Sequence, residues 1–121
     1  MRDVKENIEQ VLYRLGITAN YAGFRYTQYA VKLVMEDRAY LLLVTKQLYP
    51  AVAEHFSGTA GSVERNLRQA AALAWRNNPK LLAEMAGHPL SKRPSASGLL
   101  AILAAYCAAG GRSAPQNAAV L

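Results

Sequence analysis

The 121-residue chain is cut at short intervals by residues that stop or start helices. Gly16, Asp37, Pro50, Ser57-Gly58-Thr59, Asn78-Pro79, Gly87-His88-Pro89 and Pro94-Ser95 separate stretches whose apolar residues recur at helical spacing. Alternating strand patterns are scarce. A chain punctuated this often can bury its apolar faces only by packing several short helices around one core. The expected fold is all-α, with about six helices and a central helix-turn-helix.

The first helix is predicted over about residues 3–15, with Val4, Ile8, Val11, Leu12 and Leu15 on one face and Gly16 as its stop. A second covers about 24–36 and turns Ala30, Val31, Val34 and Met35 inward. Tyr21, Tyr26 and Tyr29 crowd its start as packing residues with polar tips. Asp37 caps a short third helix through residues 41–44. The next begins near Leu48, with Pro50 in the first turn, where a missing backbone donor does no harm. A long helix follows over about 60–76. Asn78-Pro79 opens another as cap and first residue, and Gly87 closes it. The last helix carries Leu99, Leu100, Ile102, Leu103 and Tyr106 as apolar positions. Residues 1–109 are read as one domain and 110–121 as a flexible tail.

Charge narrows the function. The formal net charge is +6, which favours anionic partners, nucleic acid first. A single cysteine, Cys107, excludes an intrachain disulfide and is compatible with a reducing compartment. Residues 1–10 carry both charge signs, unlike a signal segment, and the apolar run 99–109 is far short of a membrane span. A soluble, cytoplasmic, nucleoid-associated chain without membrane contact is expected. No enzyme, cofactor or metal is expected either. His55 and His88 lack partners at metal-ligand spacing, and Glu36, Asp37 and Glu54 are not spaced as a catalytic pair. Cys107 reads as a packing residue on an Ala-rich helix, and Gly110-Gly111 has no helix behind it to make a phosphate loop. Lys92-Arg93 is a basic pair in a loop, read first as solvent-facing.

The segment around residues 48–76 carries the chemistry. A helix-turn-helix needs a small residue where its two helices nearly touch, and Ala53 fits that place. Phe56 closes the first helix, while Val63, Leu67, Ala70 and Ala74 anchor the second. The outer face of that second helix then holds Ser62, Glu64, Arg65, Arg68, Gln69 and Arg76. Arginine there can bond a guanine edge or hold a phosphate, a carboxylate can accept from cytosine, and glutamine can reach adenine. The amides near Thr59 and Ser62 present the positive end of the helix to a phosphate. A plain helical hairpin with a solvated basic face satisfies the same pattern.

Leu48-Tyr49-Pro50 with Ala53 and Phe56, then Val63-Glu64-Arg65, Arg68, Ala70 and Ala74-Trp75, resemble the C-terminal DNA-binding (effector) domain of the master sporulation response regulator, stage zero sporulation protein A. Leu15-Gly16-Ile17, Gly23-Phe24-Arg25-Tyr26, Thr45-Lys46 and Lys92-Arg93-Pro94 before Ser97 follow the same order, so the likeness spans about residues 5–108. The resemblance implies a six-helix domain that binds double-stranded promoter DNA through the second helix of its helix-turn-helix and regulates transcription, partly through RNA polymerase. It assigns DNA contact to Glu64, Arg65 and Arg68. It also implies self-association on tandem sites through the last helix, around Leu99, Leu103 and Tyr106.

Two departures bear on function. The family pattern places Ser-Arg just before Val-Glu-Arg, and that arginine reads a guanine; this chain has Gly61-Ser62. A lost base-reading arginine removes about 1–3 kcal/mol of discrimination, which leaves open a divergent paralogue with weakened DNA reading or a protein-interaction module. Gln69 also stands where the family has histidine. The second departure is regulatory. The family's proteins carry an N-terminal receiver domain, and no βα repeat occurs in these residues, so an excised piece and a free-standing paralogue both remain open.

Overall fold

A computed structural model describes residues 7–111 of the chain. They form six α-helices: α1 (Ile8–Arg14), α2 (Ala22–Glu36), α3 (Tyr49–His55), α4 (Ala60–Asn77), α5 (Pro79–Ala86) and α6 (Ala96–Ala108). No strand occurs among the described residues. α2 is the central post, packed against both α4 and α6; α3 rests on α4, and α5 on α4 and α6. The all-α expectation holds. No helix among the described residues is long and apolar enough to cross a membrane.

α1 starts later than its apolar pattern suggested. Asn7 has extended backbone and its side chain accepts from Gln10 N–H, while Gln10 Oε1 accepts from Asn7 N–H at 3.1 Å. That reciprocal capping box sets the start at Ile8 and not near residue 3. Val4 lies outside the described residues. Val11, Leu12 and Leu15 are fully buried, and Gly16 ends the helix at a φ of +83°. The close approach there also matters: Asn77 Nδ2 donates to Gly16 O at 3.4 Å, and Asn78 Nδ2 to Arg14 O at 3.2 Å. These bonds pin the end of α1 to the α4–α5 junction, where Asn78 caps α5 through Leu81 N–H.

α2 buries Ala30, Val31 and Val34, as their spacing predicted, and Phe24 as well. Met35 is a correction. It is 43% exposed, because the last turn of α2 lines an open groove there, with Lys32 and Cys107 beside it.

The connection from α2 to α3 is a second correction. Asp37 does cap, accepting from Ala39 N–H at 3.0 Å, but the turn it starts is a 3₁₀ helix over Arg38–Leu42. A single π turn, Val44–Leu48, then leads into α3, with Leu48 N–H donating to Leu43 O five residues back. The wider turn re-phases the chain so that Leu48, Tyr49, Val52 and Ala53 all point inward. Leu42 and Leu43 are left at 82% and 41% exposure. Three successive leucines cannot share one helix face.

α6 is apolar on nearly every side. Leu99, Leu100 and Leu103 are fully buried and Tyr106 is 8% exposed, so they belong to this chain's own core. The expectation that Leu99, Leu103 and Tyr106 meet a neighbouring copy is therefore corrected: a surface through this helix falls to the half-buried Ala101, Ile102 and Ala105. Gly110 and Gly111, assigned to the tail by composition, instead close α6, with Gly111 N–H donating to Tyr106 O at 2.9 Å. Residues 112–121 lie outside the described residues.

Candidate nucleic-acid interface

The bend between α3 and α4 is built by backbone hydrogen bonds. Gly58 N–H donates to Ala53 O at 2.8 Å and Ser57 N–H to Glu54 O at 3.3 Å, the paired closure of a Schellman turn. The residue in the left-handed conformation is Ser57, with φ +58°, and not its glycine neighbour. Gly58 sits close to α2: a Cβ there would stand 3.3 Å from the Tyr26 hydroxyl, which would have to shift by a few tenths of an ångström. Phe56 packs under the bend against the rings of Tyr26 and Tyr29, and the His55 ring stacks on Tyr29 at 3.9 Å. His55 thus has a structural role beside the turn.

Thr59 caps α4, its hydroxyl accepting from Ser62 N–H at 3.1 Å. From there the helix runs with Val63, Leu67, Ala70 and Ala74 fully buried, as their spacing predicted. At about 100° per residue, Arg65 falls diametrically opposite that stripe. It forms the crest of an exposed ridge, and the other expected residues divide between two flanks.

One flank carries Glu64 and Arg68, both about half exposed, with their charged ends 3.8 Å apart. Tyr49 of α3 lies behind them. Burial raises the pKa of its phenol, the Glu64 carboxylate raises it further, and Arg68 partly offsets this. The other flank is engaged within the chain. Asn66 Nδ2 donates to Ser62 O at 2.8 Å, and the Tyr21 hydroxyl donates to Asn66 O at 2.9 Å and lies 3.2 Å from Gln69 Oε1. Burial raises the Tyr21 pKa. The ring reaches α4 across Gly23, where a Cβ would lie 2.7 Å from Tyr21 Cζ.

Glu64, Arg65 and Arg68 are therefore presented together on the outside. Thr59 and Ser62 serve the helix start, and Gln69 meets Tyr21. Arg76 lies exposed in the last turn, about three turns beyond Arg65. Sequence reasoning missed Tyr21 and Asn66 as supports of the ridge. The Ser62–Asn66 spacing of four was a usable signal; the reach from Tyr21 across 45 residues was not.

Residues 8–107 match the family described as the sporulation initiation factor Spo0A C terminal. The chain belongs to that family. Members of the Spo0A C-terminal family are DNA-binding transcription-regulator domains, the effector part of a sporulation response regulator. The match takes in all six helices except the last residue of α6.

Proposed function

We propose that this chain binds double-stranded DNA with the N-terminal half of α4 in the major groove and so regulates transcription. The observation that carries the reading is the position of Arg65, on the crest opposite the buried stripe with Arg68 and Glu64 beside it. An α-helix fits the groove, and residues near its N-terminus meet base edges. Arg65 and Arg68 would bond guanine edges or phosphates, and Glu64 would select against bases that offer no donor. Thr59 and Ser62 would bring the positive end of α4 to a phosphate. Gln69 would contribute once it leaves Tyr21. Contact with RNA polymerase and self-association on tandem sites, implied by the resemblance, belong to the same proposal, the latter through Ala101, Ile102 and Ala105.

Selection of duplexes from a random pool, followed by anisotropy titration at several salt concentrations, tests it. Salt-sensitive binding that weakens strongly in Arg65→Ala and Arg68→Ala, and little in Lys32→Ala, is expected. Lys32 is exposed on α2, in a separate groove with Met35 and Cys107. Equal losses in all three variants would reduce the interaction to diffuse attraction, and no binding at low salt by folded protein would end the reading. A protein-interaction module is the second reading, favoured by Gly61, whose missing side chain leaves the start of the ridge bare. Recovery of one specific protein partner together with no duplex affinity would select it.

A further inference from the structure

An open groove of about 1040 Å³ runs along one flank of α4. Glu64, Arg68 and Tyr49 form one wall, and the α5–α6 connection forms the other, with His88, Lys92 and Arg93 lining it. Lys92 and Arg93 are both exposed. Among the described residues lining the groove, Glu64 is the one acidic side chain, and it already faces Arg68 at 3.8 Å. The groove as a whole is therefore cationic.

Its shape matters as much as its charge. An α-helix with its side chains is about 10–12 Å across, close to the ~12 Å width of the major groove. A helix lying there fills the groove, so whatever packs beside it must meet the sugar–phosphate strand that borders the groove. On this flank the neighbour is the α5–α6 connection. Both ends of the connection are helix caps. Gly87 closes α5 in the left-handed conformation, and Ser95 caps α6 by accepting from Gly98 N–H at 3.0 Å. Lys92 and Arg93 thus lie in a short connection between two capped helix ends, on the same groove as Glu64 and Arg68.

The geometry points to a second DNA contact: the groove between α4 and the α5–α6 connection seats one sugar–phosphate strand, with Lys92 and Arg93 as its phosphate ligands. The inference rests on α4 being the major-groove helix and adds a backbone clamp that the ridge alone does not supply. Phosphate contacts set register and add affinity without reading sequence. The two residues and the ridge therefore make different contributions, which binding data can separate.

Lys92→Gln, Arg93→Gln and the double variant are titrated with a selected duplex and with an unrelated one, between ~50 and ~200 mM salt. Circular dichroism and melting confirm that each variant is folded. The expected result is weaker binding by the same factor for both duplexes, with the slope of log affinity against log salt shallower by about 1 per residue removed. Wild-type affinity and slope in the double variant, while Arg65→Ala loses binding, would overturn the clamp and leave the ridge intact. A changed preference between the two duplexes would overturn it differently, by making these residues base readers. Failure of the unaltered chain to bind either duplex would remove the proposed function itself.

Discussion

Ser57 holds a backbone conformation that an L-residue adopts at a cost of about 1–2 kcal/mol, and it does so where α3 must turn sharply into α4. Its side chain is exposed, so glycine would remove the strain and leave the turn's two hydrogen bonds in place. Part of the gain is offset by the greater freedom of glycine in the unfolded chain. Ser57→Gly is expected to raise stability by about 1 kcal/mol, read as a higher urea midpoint at unchanged m. A lower midpoint would show that the serine side chain contributes to the bend. The Glu64–Arg68 pair acts on a smaller scale. Both partners are half exposed, so it adds at most about 0.5 kcal/mol to stability.

At the scale of elements, α4 packs on α2, α3, α5 and α6 but carries a glycine in its first turn. Gly61 occupies its second position, where a Cβ would meet nothing within 4 Å. Alanine is favoured over glycine inside a helix by up to about 1 kcal/mol. Gly61→Ala is accordingly expected to stabilise the protein by ~0.5–1 kcal/mol in chemical denaturation, with Thr59 still capping. Destabilisation would mean that the first turn of α4 departs from helical geometry in solution. α6 illustrates the opposite relation of pattern to place. Its apolar residues run all round the helix, and such a helix belongs inside the molecule. That is where Leu99, Leu103 and Tyr106 are found, which leaves its small outer residues as the surface.

Two phenols, Tyr49 buried and Tyr21 partly buried, connect α4 to the rest of the molecule. Tyr21 reaches it from the start of α2 and Tyr49 from α3, and burial holds both pKa values above the ordinary tyrosine value of about 10. The folded state thus binds these protons more tightly than the unfolded chain. Their contribution is complete below pH ~10 and is lost as pH rises from there through the folded-state values. Stability measured by denaturation should fall in that alkaline window, and Tyr49→Phe should make the fall shallower. An unchanged alkaline decline in Tyr49→Phe would exclude that phenol as its source. The same two contacts make the ridge a property of the whole fold, since α4 is held from α2 on one side and α3 on the other.

The helix limits were largely legible from local chemistry: Gly16, Pro50, Asn78-Pro79 and Gly87 act within a turn or two of themselves, through φ, a missing N–H or a cap. The buried stripe of α4 was equally legible, because a period of 3.6 residues fixes which side faces in and therefore which side Arg65 faces out. Even the Asn7–Gln10 box was present to be read. Everything set by distant partners was hidden. Tyr21 meets residues 45 and 48 positions away, the π turn before α3 answers to the core it must face, and Lys92-Arg93 lies beside α4 only because α5 and α6 pack where they do. Local rules act through bonds between near neighbours, whereas these placements depend on which surfaces meet once the helices have packed.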